Sequence, residues 1–185
     1  MHKPIILIGG TSGTGKTTLA HNLTVALSLD QRLSTGFIRS VLQAERGPEK
    51  EPLLFTHTFN DENPPHHMEW QAKRMRPGIL RCIERARKEG TSIVIEGPAL
   101  LPSLYHDADA AFFLVLEPPT TDEHHNRLFG KTRHKRQMTD KDIENAGIIN
   151  NFVIEEAKNR DIPVFTYHDN LDEIVEAIKQ KFHKQ

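Results

Sequence analysis

The chain of 185 residues, of which 37% are hydrophobic, is long enough for a single domain with a substantial core. Its formal net charge of −1 gives no bulk electrostatic reason to expect nucleic acid or a membrane surface as a partner. One cysteine, Cys82, excludes an internal disulfide and is typical of a cytoplasmic protein. No apolar run approaches the ~18 residues of a membrane-spanning helix. Composition therefore predicts a one-domain cytoplasmic protein without a nucleic-acid or membrane partner, and leaves the oligomeric state open.

The first half of the chain alternates strand-like and helix-like patterns. Residues 5–8 form a short apolar run that is typical of a buried strand, and apolar positions recur at helical spacing between residues 19 and 27. A second strand is predicted at 32–36, followed by a helix at 37–45. Residues 46–65 contain four of the eleven prolines and many polar groups, which favours an irregular or inserted segment.

The second half continues the alternation. A helix is predicted from about Met68 to Glu89, with a kink or a break at Pro77–Gly78. The later predicted elements are strands at 92–97 and 110–116, helices from about Thr121 and Thr139, a strand at 163–167 and a last helix at 171–182. Because strands and helices alternate throughout, the sequence predicts an α/β fold with a five-stranded parallel sheet and helices on both faces.

The turn after the first strand reads GGTSGTGKTT, and Gly10 to Thr17 match the pattern G-x-x-x-x-G-K-[ST] of a phosphate-binding loop. Glycine lets the backbone approach a polyphosphate closely and turn successive N–H groups toward it. The following helix directs its positive end at the same anion. The residues predicted to bind the nucleotide are Gly10, Thr11, Ser12, Gly13, Thr14, Gly15, Lys16, Thr17 and Thr18.

Two positions carry the predicted phosphate and metal chemistry. Lys16 is expected to reach the β- and γ-phosphates of ATP, and the Thr17 hydroxyl to bind Mg²⁺. Glu96 ends a predicted apolar strand and is followed by Gly97–Pro98. A carboxylate at the carboxyl end of a parallel strand faces the crevice where ligands bind, so Glu96 is a candidate for holding Mg²⁺ or assisting the acceptor hydroxyl. ATP and Mg²⁺ are the predicted cofactors.

The phosphate-loop motif alone does not distinguish among the classes of nucleotide-binding protein. The chain has neither the Asn-Lys-x-Asp nor the Asp-x-x-Gly tetrapeptide of GTPases, and it is short for a motor protein. A small kinase remains, with an acceptor-binding insert at 47–67 and a lid at 120–138. The cations that predict this lid, as opposed to a solvated basic helix face, are Arg127, Lys131, Arg133, Lys135 and Arg136. We expect Arg127 and Arg133 to act in catalysis together with Lys16 and Glu96.

Two arginines are candidates for binding an acidic acceptor. Arg39 lies just after the second predicted strand, where a guanidinium can clamp an acid through two hydrogen bonds. Arg74, with Lys73 beside it, is a candidate of the same kind in the long helix. Each is equally explained as a surface cation, so the sequence leaves both interpretations open.

Four stretches of the chain resemble the 2-phosphoglycerate kinase-like P-loop proteins: GGTSGTGKTTLA, LSTGFIRSVL, IERARKEGTSIVIEGPALLPS and EEAKNRDIPVF. The resemblance extends from residue 5 to about residue 178, and its most specific part is the VIEG-x-x-L-x-P block at 94–102. It implies a nucleoside-monophosphate-kinase-like P-loop NTPase fold and transfer of the γ-phosphate of ATP to the hydroxyl of 2-phosphoglycerate. Related small kinases act on shikimate, gluconate and nucleotides.

The chain departs from this family at one position. The family's second strand commonly ends in Ser-Thr-Asp-x-x-Arg, whereas here Ser34-Thr35-Gly36 leads to Arg39. Related kinases often use that aspartate to receive the acceptor's proton, so its absence leaves Glu96 or Asp61 for the role, or indicates a different acceptor. Three functions stay open: a kinase of a small acidic or phosphorylated metabolite, an ATP-binding regulator or weak ATPase without an acceptor, and a nucleotide or nucleoside kinase.

Overall fold

The computed structural model describes residues 3–105, 110, 112–129, 138–166 and 171–182. Within these residues, five parallel strands form one sheet in the order β2-β3-β1-β4-β5. The strands are β1 (Ile5–Gly9), β2 (Gln31–Ser34), β3 (Ile93–Glu96), β4 (Phe112–Glu117) and β5 (Val164–Thr166). The predicted five-stranded parallel sheet is confirmed, with small differences at the strand ends.

The described residues also form seven helices: α1 (Lys16–Ala26), α2 (Thr35–Arg46), α3 (Pro52–Phe55), α4 (Pro64–Glu89), α5 (Thr121–Phe129), α6 (Asp140–Lys158) and α7 (Leu171–Phe182). Short 3-10 turns lie at Thr58–Asn60 and Pro102–Leu104. The capping box predicted at Thr139 and Asp142 is present at the start of α6. No helix in this described part of the chain has the length and apolar character needed to cross a membrane.

The central strand β1 is buried on both faces of the sheet. Ile6 and Ile8 pack with apolar side chains of α1 and α7, whereas Ile5 and Leu7 pack on the opposite face with side chains of α4. Successive side chains of a strand point to opposite faces, so the uninterrupted apolar run of β1 contributes to two cores. Side chains of α6 pack with α4 and β4 and extend the second helical layer. The molecule therefore has three layers, helix, sheet and helix.

The long helix α4 is one continuous element. It begins at Pro64, earlier than the predicted Met68, and it is not split at Pro77. Asn63 caps its first turn by accepting a hydrogen bond from the His66 amide at 3.3 Å, and proline is well suited to the first position of a helix. The buried residues Met75, Ile79 and Ile83 lie on both sides of Pro77. Burial of each contributes ~1.5–3 kcal/mol, which together outweighs the ~3 kcal/mol that an internal proline costs.

The order of the strands places a crevice at the carboxyl ends of β1 and β4. The chain after β1 leads through α1 to β2 at one end of the sheet, and the chain after β4 leads through α5 and α6 toward β5 at the other end. In open parallel sheets, ligands bind outside neighbouring strands whose connections diverge in this way. The glycine-rich loop follows β1 and α5 follows β4, so both border this crevice.

Candidate active site

The glycine-rich loop between β1 and α1 has a backbone that only glycine adopts easily. Gly10 and Gly13 have φ angles of 126° and 87°, in the region that side chains disfavour. A Cβ at Gly10 would also lie 2.3 Å from the Leu116 carbonyl oxygen of β4, so the loop passes directly against that strand. The loop therefore has the close packing and torsions expected of a phosphate cage.

Lys16 is the first residue of α1, and its ammonium group folds over the loop. Lys16 Nζ donates to the Thr11 carbonyl and, at 3.3 Å, to the Thr14 hydroxyl, while the side chain is buried. Thr14 in turn donates to the Thr11 carbonyl at 3.1 Å. A cation held among loop atoms in this way is placed to neutralise an anion that the loop amides bind.

Thr17 and Glu96 meet at the carboxyl edge of the sheet. The Thr17 hydroxyl donates to Glu96 Oε1 at 3.2 Å, although the two residues are 79 positions apart. Glu96 is the last residue of β3, is paired in register with Ile8 of β1 and is 4% exposed. A hydroxyl and a carboxylate oxygen form the kind of donor set that Mg²⁺ uses together with phosphate oxygens and water. The two residues predicted as metal ligands are thus brought together beside the phosphate loop.

The start of α2 lies on the other side of Glu96. Ser34 of β2 is paired with Glu96, and a Cβ at Gly97 would lie 1.8 Å from Thr35 Oγ1. Among the residues that the structure describes, the hydroxyl of the buried Thr35 has no hydrogen-bond partner. From the sequence, Thr35 was predicted to lie in the second strand and no pattern gave it a role, whereas in the structure it begins α2.

The two arginines predicted to bind the acceptor contact the predicted insert in this structure. Arg39 Nε donates to the Leu54 carbonyl and its Nη2 donates to the Thr56 carbonyl, both at 2.7 Å. Arg74 Nε donates to Glu51 Oε2 at 2.8 Å, and this hydrogen bond lowers the pKa of Glu51. In this structure the two guanidinium groups fasten residues 51–56 to α2 and α4.

Asp61, the other carboxylate predicted as a candidate to receive the acceptor's proton, contacts residues of the predicted insert at 47–67. Its Oδ1 accepts a hydrogen bond from the Asn63 amide at 2.9 Å, and its Oδ2 lies 3.1 Å from Nδ1 of the buried His67. Glu96 is the carboxylate of the two that contacts a side chain adjoining the phosphate loop. The geometry therefore favours Glu96 over Asp61 for chemistry at the nucleotide.

The predicted lid is described only in part. Arg127 lies in the last turn of α5 and is partly buried. The other lid cations, Lys131, Arg133, Lys135 and Arg136, lie outside the described residues.

Sequence reasoning also missed a residue that contacts the phosphate loop from α5. His124 is 6% exposed, and its Nε2 lies 2.7 Å from the Ser12 carbonyl oxygen. In the sequence it is one of two adjacent histidines, His124 and His125, and no spacing distinguishes the buried one from the exposed one.

No protein-family model matches the chain. Curated relatives do match: the 2-phosphoglycerate kinase of Methanococcus maripaludis strain C6 is 26% identical over 206 residues, covering 98% of this chain and 66% of that protein. The 2-phosphoglycerate kinase of Pyrococcus horikoshii is 29% identical over 194 residues, covering 96% and 64%. The chain is thus similar, over most of its length, to several archaeal 2-phosphoglycerate kinases. It spans slightly less than two thirds of the length of the two relatives named here.

Solved structures resemble the chain along nearly its whole length. A shikimate kinase from Acinetobacter baumannii in complex with shikimate has a TM-score of 0.59 at 11% identity, covering 98% of this chain and 94% of that one. A sugar kinase from Janibacter sp. HTCC2649 has a TM-score of 0.63 at 15% identity, covering 98% and 95%. The chain therefore has the P-loop kinase fold, as predicted.

Proposed function

We propose that the chain is an ATP-dependent kinase that transfers the γ-phosphate to a hydroxyl of a small acidic metabolite. The observation that carries this proposal is the junction of the phosphate loop, Thr17 and Glu96 at one crevice. A glycine-rich loop with its lysine suits a nucleoside triphosphate, and the paired hydroxyl and carboxylate suit the accompanying cation. The names of the homologues and of the structural neighbours support the same class of reaction.

Each group of residues at the candidate site has a proposed role in the reaction. The loop amides and Lys16 bind the triphosphate and neutralise its charge. Thr17 and Glu96 are the residues that would hold Mg²⁺, which when bound supplies further neutralisation of the β- and γ-phosphates. Arg127 and Arg133 are proposed to screen the transferring phosphoryl group, and a lid that excludes water favours transfer over hydrolysis.

2-Phosphoglycerate is the proposed acceptor, because the homologous proteins are named for it. The amino-terminal end of α2 lies near Glu96, because Ser34 is paired with Glu96 and caps this helix by accepting a hydrogen bond from the Gly36 amide at 3.3 Å. The amino-terminal end of a helix carries partial positive charge, which supports an anionic acceptor. Arg39 and Arg74 are proposed to contribute by fixing the position of the insert, given their contacts with residues 51–56.

The test is ATP consumption by the purified chain with Mg²⁺ and a panel of acceptors. The panel contains phosphorylated glycerates, sugars, shikimate and nucleosides, and Lys16→Ala is the control. We expect turnover that depends on 2-phosphoglycerate and falls about 10²–10³-fold in the control, because one preorganised electrostatic contact is lost.

Other outcomes would replace this proposal. A slow hydrolysis that no acceptor changes identifies a regulator or weak ATPase, an outcome that the absence of an aspartate at Gly36 would explain. Turnover that depends on a nucleoside identifies a nucleoside kinase. Near-normal turnover of Lys16→Ala would remove the phosphate-loop assignment itself.

A further inference from the structure

The contact between His124 and the phosphate loop joins the two elements that border the crevice. His124 lies one turn into α5, where its backbone amide donates to the Thr120 carbonyl at 3.0 Å. Its ring reaches 112 positions back along the chain, and Nε2 lies 2.7 Å from the Ser12 carbonyl oxygen. The His124 side chain is buried, and the hydrogen bond is partly shielded from water.

The chemistry of the pair fixes the direction of the hydrogen bond. A carbonyl oxygen can only accept, so Nε2 of His124 carries the proton and donates. In a trans peptide, the carbonyl group and the following N–H point in opposite directions. With the Ser12 carbonyl held toward α5, the Gly13 N–H is directed away from α5, as a loop that turns its amides toward an anion requires.

Packing holds the same peptide in place. A Cβ at Gly13 would lie 3.1 Å from His124 Cδ2 and 3.1 Å from Leu128 Cδ2, so the loop backbone lies directly on the α5 side chains. Leu128 is 3% exposed and lies one turn beyond His124 on the same face of the helix. Gly13 has a φ of 87°, a conformation that glycine adopts readily and that other residues disfavour.

We propose that His124 is a positioning residue: its Nε2–H holds the Ser12–Gly13 peptide of the phosphate loop in the orientation that binds the nucleotide. The same contact sets the distance between the loop and α5, the helix that carries Arg127. This inference rests on the proposed function, because it assigns a role in the binding of MgATP.

The test compares substitutions that keep or remove the donor. His124→Phe keeps a ring of similar size without an N–H, and His124→Gln places an amide N–H near the position of Nε2. The neighbouring exposed residue supplies the matched control, His125→Phe. Affinity for MgATP is measured by calorimetric titration, and folding by thermal unfolding. The kcat and the KM for ATP are measured with the acceptor that the panel assay identifies.

We expect His124→Phe to weaken MgATP binding about tenfold and to raise KM for ATP more than it lowers kcat, since one buried hydrogen bond to the loop is lost. His124→Gln is expected to bind within about threefold of the wild type, and His125→Phe to match it. Should His124→Phe not fold, His124→Leu removes the donor with a smaller side chain and replaces it in the comparison.

Two results would overturn the inference. Wild-type affinity in the variant without the donor means that the hydrogen bond does not position the loop. Equal losses in His124→Phe and His124→Gln mean that the ring contributes by packing alone. Lys16→Ala is measured in the same series, because unchanged MgATP binding in that variant would contradict the proposed function and not the role of His124.

Discussion

Glu96 is a buried carboxylate at the carboxyl end of strand β3. It ends a buried strand, is 4% exposed and accepts a hydrogen bond from the Thr17 hydroxyl at 3.2 Å. Among the described residues, the Thr17 hydroxyl is the side-chain donor shown for Glu96, and a buried carboxylate with one neutral donor is costly unless a cation completes its surroundings. The burial of Glu96 therefore supports its proposed role in holding magnesium over a role at the acceptor.

Glu96→Gln is therefore expected to lower kcat about 10²–10³-fold while changing ATP affinity much less, because the amide keeps the shape and loses the charge. The magnesium concentration needed for half-maximal rate should rise as well. The measurement is steady-state kinetics at several magnesium concentrations, beside calorimetric titration with ATP.

Glu84→Gln is the matched control, since Glu84 lies on the exposed face of α4 in an ion pair with Arg81 at 2.6 Å. An unchanged kcat in Glu96→Gln would mean that this carboxylate only ends the strand.

At the scale of single residues, the sequence predicts the candidate site residues that belong to a local pattern. The phosphate-loop residues, Thr17 and Glu96 follow from a short pattern and from the end of an apolar strand. The contacts of Arg39 and His124 do not follow from a local pattern, because their partners are backbone carbonyls in segments distant along the chain. No residue pattern in the sequence predicts which backbone carbonyl a long side chain will contact.

At the scale of elements, Asp30 and Ser92 join the starts of β2 and β3. Asp30 Oδ2 accepts hydrogen bonds from the Ser92 amide at 2.7 Å and from its hydroxyl at 2.6 Å. The hydrogen bonds from Ser92, followed by one from Lys3, lower the pKa of Asp30 to about 2 from its ordinary 3.8. The stabilisation is present above pH 3.8, where the unfolded carboxyl is ionised, and is lost as the pH falls toward 2.

Asp30→Asn is expected to reduce the free energy of unfolding at neutral pH, and the difference from the wild type should shrink between about pH 4 and pH 2. Urea unfolding at a series of pH values measures this difference, with Glu84→Gln as the control for loss of a surface charge. A difference that stays constant over this range would mean that the Asp30 carboxylate does not stabilise the junction of β2 and β3.

The elements themselves were largely predictable, and the exceptions have physical causes. The buried strands β1, β3 and β4 read as continuous apolar runs, as expected of strands covered on both faces of a sheet. The more exposed strands β2 and β5 were also predicted. Of the kink or break predicted at Pro77–Gly78, the break was wrong, because the helix-breaking tendency of proline is local whereas the packing of α4 involves its whole length. The segment at 51–56 contains a short helix, and the carbonyls of residues 53, 54 and 56 are bonded by side chains of Arg39, Gln43, His67 and Gln71.

At the scale of the whole molecule, the strand order brings the site together. The loop after β1, the end of β3, the start of α2 and the start of α5 meet at the carboxyl edge of the sheet. With a formal net charge of −1, the molecule offers no long-range attraction for a nucleotide. The proposed affinity for a triphosphate must therefore come from the local amides, Lys16 and the Mg²⁺ that Glu96 is proposed to hold.

The central claim is that this loop binds a magnesium nucleotide, and calorimetric titration of the 185-residue chain with MgATP tests it most directly. We predict one saturable site that requires Mg²⁺, with affinity reduced at least about tenfold in a folded Lys16→Ala variant, since a hydrogen-bonded charge contact is removed. A folded wild-type protein that binds neither ATP nor GTP would contradict the account.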